Sequence, residues 1–410
     1  MTDGAWLTKS EVNSLYYNTV AGEIAFSTDA RWGGHPLAVA NLVVQQSAVL
    51  GKRQIRILEI GANDCIFAHA LVSELRRLGA DGVSELDRVD YLAVEFARGS
   101  LEAAADWVQE NGFGTQVRRG PRVASSPGPP EKPAMVALIT GAGAPSVNLG
   151  LVHAEALQFV RTTNERFDFV ILNELLDDLP SRAFYADGSG RRFEALSESR
   201  GGSDGNWQVR IRPQAASATA AEELPAGRMT SHSPESVELV DGIAGLLVPG
   251  GALVIHDYGF AEPHVSLDNY SGLQPQMPWF VSLEFPPGSE AGFPRGFYRV
   301  FGNEHRRVVQ VTNDVNFAEL AAVLEPRGAA TILPHGSKIL NAGGTLKRGD
   351  GVFLSELGMF EPGADLAELL AELHERQAEF RGRFVRDHME GRESMFLDLV
   401  FLKDTEPTGT

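Results

Sequence analysis

At 410 residues with 43% hydrophobic side chains, the chain can bury a large core, as one elaborated domain or as two. Its net charge of −18 excludes nucleic-acid phosphates and anionic membranes as main partners and favours cationic ones. A single cysteine, Cys65, excludes a disulfide framework and a cysteine-based zinc cluster, no apolar run reaches the roughly 20 residues of a membrane span, and no export signal opens the chain; a soluble, cytoplasmic protein without a metal site is expected.

Residues 1–50 are expected to form a helical segment that caps a site. After them, Ile55, Ile57, Leu58 and Ile60 make a short, β-branched apolar run, and Phe67, Ala68, Leu71, Val72 and Leu75 recur at helical spacing. The junction carries Glu59 and Gly61 at the carboxyl end of a strand, where open parallel sheets bind ligands, and Asp64 can cap the helix. A dinucleotide fingerprint needs three glycines at such a turn. Asn63 and Cys65 fill two of those places, which argues against a nicotinamide or flavin cofactor. S-adenosyl-L-methionine (SAM) has no phosphate and asks less of the turn: a close backbone, and a carboxylate for its ribose hydroxyls. A second strand, Val89 to Val94, ends in Glu95, where a carboxylate is placed to accept both hydroxyls of a ribose.

Further along, the proline-rich Arg122 to Ala134 reads as a surface loop, Met135 to Thr140 as a third strand and Val152 to Thr162 as a helix. FDFVILNELLDDLP, Phe167 to Pro180, joins a buried strand to Asn173, Glu174, Asp177 and Asp178 at the same sheet edge as Gly61. Tyr185 to Thr230 is a less regular insert with a β-hairpin around Trp207 to Ile211. Glu235 to Leu247 is helical by pattern. The strand Ala252 to His256 then ends in Asp257-Tyr258-Gly259, with His256 directed away from Asp257 by strand alternation. An aromatic stretch through Arg299 suggests a lid or substrate wall, Asn316 to Leu324 and Ala364 to Arg383 are amphipathic helices, and Met395 to Leu402 is the last strand. The expected division is a cap at 1–50, a core at 51–260 with an insert at 185–230, a lid at 261–310, and closing helices and strands of the core at 311–410.

The order of these motifs resembles the MidA-like family of SAM-dependent methyltransferases, which includes the mitochondrial complex I assembly arginine methyltransferase. NELLDDLP at Asn173 to Pro180 is similar to that family's NExxDALP signature, with Asp178 where alanine is usual. GGALVIHDYG at Gly250 to Gly259 resembles its GGxxLxIDYG strand, RGFYRVF near Arg295 its TLRxYxxH segment, VTNDVNFAELA near Thr312 its DITAHVDFxxLA segment, and MFLDLVFL its closing strand. Two departures stand out: the family's GPGxGT turn is GANDCI here, and its tyrosine- and glycine-rich motif is not evident before Ala25.

The resemblance implies an α/β, class I methyltransferase fold: a Rossmann-like, doubly wound sheet of seven strands, mostly parallel with an antiparallel last strand, plus inserted hairpin and lid segments. It implies SAM bound above Gly61, with Glu59, Asn63 and Asn173 beside it and Glu95 on the ribose. Methyl transfer is an in-line displacement, so the protein must orient a nucleophile and exclude water. A guanidinium is planar and permanently charged, and carboxylates bind it by paired charge-assisted hydrogen bonds. Glu174, Asp177, Asp178 and Asp257 are the candidates, although Asp177 or Asp178 could instead cap the turn and Asp257 could bind backbone amides. The expected reaction is N-methylation of a guanidino nitrogen. Free L-arginine stands slightly ahead of protein arginine, because Arg295 and Arg299 in an aromatic lid suit a substrate carboxylate. The alternatives are O-methylation of a small natural-product intermediate and a non-catalytic assembly factor that keeps the fold.

Overall fold

Seven strands form the core of a central sheet that has ten strands among the described residues: β1 (Gln54–Ile60), β2 (Arg88–Glu95), β3 (Ser146–His153), β4 (Phe167–Asn173), β5 (Leu247–Phe260), β6 (Gly328–Pro334) and β7 (Met395–Lys403). In the computed structural model they lie in the order β3-β2-β1-β4-β5-β7-β6. The first five run parallel, and β7 is antiparallel to both its neighbours. This is the class I methyltransferase arrangement. The structure describes residues 5–21, 35–111, 116–120, 132–216, 224–271, 277–287, 292–334, 365, 367–371, 375 and 395–405. The loop expected at Arg122 to Ala134 and the helix expected at Ala364 to Arg383 lie mostly outside these residues.

Helices cover both faces, which is why the inner strands read as continuous apolar runs. Along β1, Ile55 and Ile57 face one core with α2 (His35–Val49), α3 (Ile66–Ala80) and α4 (Arg98–Glu110). Leu58 and Ile60 join the other core with α5 (Ala156–Thr162), α6 (Pro234–Leu246) and α7 (Phe317–Leu324). Ahead of them all, α1 (Lys9–Val20) starts in a capping box between Thr8 and Glu11. No helix among the described residues is long and apolar enough to cross a membrane.

Two sequence expectations need correction. The third parallel strand is Ser146–His153, whereas Met135 to Thr140 belongs to an edge strand, Ala134–Gly141, antiparallel to β3 and extended by Gln116–Arg119. Val152 and His153 are therefore strand, and α5 begins only at Ala156. Gly150 hid this strand by interrupting its apolar run; a Cβ there would lie 2.8 Å from Leu92 Cδ1, so a larger residue would push that side chain aside. The second correction concerns the insert, which is more than a hairpin. Its strands Arg182–Ala186, Arg192–Gly201, Trp207–Ala215 and Arg228–His232 join Leu7–Thr8, Val265–Ser266 and Val281–Glu284 in a second sheet. The aromatic residues after Gly259 pack mainly under that sheet, where Phe280, Phe293, Phe297 and Tyr298 are buried with Trp207.

Candidate active site

At the carboxyl ends of β1, β2 and β4 lies a cavity of about 530 Å³. Its first wall is the turn after β1, where Gly61, Asn63 and Cys65 have φ of 78°, 45° and 57°. These are the three glycine places of the resembled GPGxGT signature, so the turn keeps a left-handed backbone without its glycines. Asn tolerates this conformation, whereas at a buried cysteine it costs about 1–2 kcal/mol. Gly61 is constrained twice, since a Cβ there would also come within 3.0 Å of Leu175 Cδ1.

The buried Glu95 at the tip of β2 ties this turn to the next one. It accepts from the Asn63 amide at 2.9 Å and the Ala97 amide at 2.7 Å, one bond on each oxygen. With the Phe96 amide as a third donor, the carboxylate still keeps a lone pair for a ligand hydroxyl. Burial pushes the Glu95 carboxyl up, and the amides of Ala97, Asn63 and Phe96 oppose it. Gly61, Asn63, Glu95 and Asn173 all line the cavity. With no lysine or arginine among the described lining residues, they fit a ligand bearing a ribose and a positive sulfonium. Glu59 is not part of the described lining. It lies buried behind Asn173, taking the Tyr91 hydroxyl at 2.9 Å and the Asn173 amide at 3.4 Å. Burial lifts its carboxyl to about 8 against those two bonds.

The opposite wall is the acidic turn after β4. Glu174 faces the cavity with φ of 46°, its amide donating to His256 O at 2.7 Å. Such strain in a residue other than glycine persists only where neighbours fix it, and it gathers at functional sites. Asp177 and Asp178 also line the cavity. Asp257 sits behind the turn, fully buried, accepting from the amides of Leu176 at 3.0 Å, Asp177 at 3.2 Å and Tyr258 at 2.8 Å. Burial and the charges of Asp177 and Glu174 push its carboxyl well up. Its placement is that of a residue shaping the turn.

Helix α1 closes this wall. Asn13 donates to Asp178 at 3.0 Å, Gln310 donates to both of its oxygens at 2.8 and 3.0 Å, and the Tyr17 hydroxyl donates to it as well. Lys9 reaches under the turn to the carbonyls of Asp177 and Leu179. Burial lowers its pKa, opposed first by Asp178 and Asp177, while burial and Asp177 raise that of Asp178. Sequence reading missed Asn13, Tyr17, Gln310, Glu155 and Glu235, all of which line the cavity. Asn13 and Tyr17, four apart on one helix face, were the available signal. Arg295 and Arg299 are not in the described lining: Arg295 stacks over Phe285, and Arg299 covers Tyr258 while pairing with Asp314.

The family model described as "Putative S-adenosyl-L-methionine-dependent methyltransferase" matches residues 38–274. An uncharacterized superfamily protein from Burkholderia thailandensis is 17% identical, with 98% of this chain and 89% of that one aligned at a TM-score of 0.52. This likeness extends to the fold. A second Burkholderia thailandensis member of that superfamily, solved bound to S-adenosyl-homocysteine, is 17% identical over 98% of this chain and 79% of its own, at a TM-score of 0.43. No curated protein matches the chain. With its motif order, its strand order and a family match over more than half its length, the chain belongs to the MidA-like family of SAM-dependent methyltransferases, with SAM as its cofactor.

Proposed function

We propose that this methyltransferase acts on a guanidino nitrogen of a cationic substrate. The observation that carries the reading is the cavity's charge: Glu95, Glu155, Glu174, Asp177, Asp178 and Glu235 line it, with no lysine or arginine among the described lining residues. Bound SAM supplies a methyl group activated by its sulfonium. The chain's own residues hold and orient the acceptor. Glu174, fixed by its strained backbone beside Asn173, is placed to take two N–H groups of a planar guanidinium, and Asp177 adds to the field that stabilises its retained charge. Helix α1 excludes water from one side, and a carboxylate of the turn takes the proton that the methylated nitrogen releases.

The described walls offer no cationic clamp for a substrate carboxylate, since Arg295 and Arg299 are engaged elsewhere. A guanidine without an adjacent carboxylate, or an arginine within a peptide, therefore suits them better than free L-arginine. The test is methyl transfer to free L-arginine, decarboxylated guanidines, arginine peptides and phenols, with Glu174→Gln in parallel. We expect transfer to guanidines, SAM affinity unchanged in the variant, and turnover reduced by at least about a hundredfold. Transfer to phenols alone, or normal turnover by Glu174→Gln, overturns the reading.

A further inference from the structure

Tyr258 follows Asp257 on β5 and lines the cavity, yet the reaction set out above gives it no part. Its neighbours hold it firmly. The Arg299 guanidinium lies 4.5 Å from the centre of its ring, the Phe396 ring stands at 77° to it with centres 5.1 Å apart, and its hydroxyl meets that of Thr312 at 2.7 Å. Arg299 and Thr312 face each other across the hairpin of strands Tyr298–Asn303 and Val308–Asn313, so one cross-strand pair grips both the ring and its hydroxyl. Arg299 is fixed in turn by the fully buried Asp314.

The held phenol is directed at the acidic turn. Its hydroxyl also hydrogen-bonds the Asp177 carboxylate, and Asp257 ties the two backbones together, taking the Tyr258 amide on one oxygen at 2.8 Å and the Asp177 amide on the other at 3.2 Å. A phenol has one proton to give. Thr312 can turn its own hydroxyl proton toward the Tyr258 oxygen, and the phenol proton then goes to the charged acceptor, which makes the stronger bond. Burial and the charge of Asp177 hold the phenol well above its ordinary value, so it stays a donor; the Arg299 cation over the ring opposes them and polarises the O–H.

We propose that Asp177 is the carboxylate that receives the acceptor's proton, and that Tyr258, backed by Arg299, is the positioning residue that aims it. This rests on the reading that a carboxylate of the turn takes that proton, and it applies to an N–H or an O–H acceptor alike. The acceptor's lone pair forms the bond to the methyl carbon, the carbon–sulfur bond breaks with its electron pair left on sulfur, and the acceptor's proton passes to an Asp177 oxygen. A hydrogen bond to the charged form keeps a carboxylate from taking a proton early. Arg299, expected from the sequence to meet a substrate carboxylate, thus acts on the site through an aromatic ring.

The test compares Tyr258→Phe, Asp177→Asn and Thr312→Val with the wild type on whichever guanidine, arginine peptide or phenol the wild type methylates, and calorimetric SAM binding checks folding. Asp177→Asn should lose at least about a hundredfold in kcat. Tyr258→Phe keeps the ring beside Arg299 and should lose about tenfold in kcat, with KM and SAM affinity near the wild-type values. The acid limb of its kcat profile should move up by about one pH unit, because Asp177 has lost a donor to its charged form. Lys9 on α1, Glu174 and Asp178 in the turn, Asp257 on β5, Arg299 on the hairpin and Glu235 at the start of α6 surround this group and are the same in both proteins, so the difference between the profiles belongs to the hydroxyl. Thr312→Val removes that hydroxyl's other partner and should leave the limb in place. A limb that stays put in folded Tyr258→Phe, or moves equally in Thr312→Val, overturns the assignment, as does normal turnover by Asp177→Asn. Transfer to phenols alone would overturn the guanidine reading instead, and the same comparison is then read on the phenol.

Discussion

Cys65 holds a backbone angle usually left to glycine, while the Asn63 amide two residues earlier is claimed by Glu95. Removing Glu95 therefore does two things at once: it frees that amide and takes away the acceptor for a ribose. Glu95→Ala should weaken SAM binding by about 1–3 kcal/mol, read by calorimetric titration. Unchanged affinity would remove Glu95 from the cofactor site. Glu59 makes a different prediction, because its carboxyl is lifted from 4.5 to about 8 by burial. Between those values the folded chain holds a proton that the unfolded chain has lost, so this group costs stability progressively as pH rises. Glu59→Gln cannot ionise and keeps bonds to Tyr91 and Asn173. Its melting temperature should gain steadily on the wild type from about pH 5 to about pH 8. A constant difference would rule this out. Glu95 and Glu174 were legible in the sequence because each stands at a strand end, whereas Glu59, also near one, lies behind Asn173 and outside the described lining. Amide binding by Asp257 was also among the readings of the sequence, but which amides was not, because two of them belong to a turn some 80 residues away.

Among the elements, α1 carries the least obvious contribution. It docks on the acidic turn through Asp178, and on the hairpin strand Val308–Asn313 through Asn13, which donates to Val311 O and accepts from Val311 N, both at 2.8 Å. Tyr17→Phe deletes one buried bond to Asp178 and should loosen the helix by about 1–3 kcal/mol. Hydrogen exchange in α1 should accelerate, and KM for the methyl acceptor should rise more than kcat falls. Unaltered exchange would mean that the bond contributes nothing to docking. Asp178 was recognisable as a departure from the resembled signature, but its partners lie 165 and 132 residues away and no local pattern names them. The same contrast holds among the strands. β1, β2, β4 and β5 are buried on both faces and announce themselves as apolar runs, whereas β3 is broken by Gly150, and the second sheet is assembled from pieces scattered between Leu7 and Glu284.

For the molecule as a whole, the net charge of −18 and the acidic cavity act in the same direction. A positively charged acceptor should be drawn in at long range, and salt should screen that attraction. KM for a cationic acceptor should rise several-fold between about 20 mM and about 200 mM salt, while that for an uncharged acceptor stays level. Equal salt dependence for both would separate the charge from recognition.

β7, the latest of the core strands in chain order, lies between β5 and β6. While the ribosome is still making the residues that separate them, β5 waits with one ladder edge open and Leu253 and Ile255 not yet covered on that side. An exposed apolar edge is a template for pairing with another chain, so the nascent protein passes through a stage that depends on chaperones or on speed. A messenger truncated anywhere before Met395 would leave it there, which makes the emergence of β7 the step that closes the sheet.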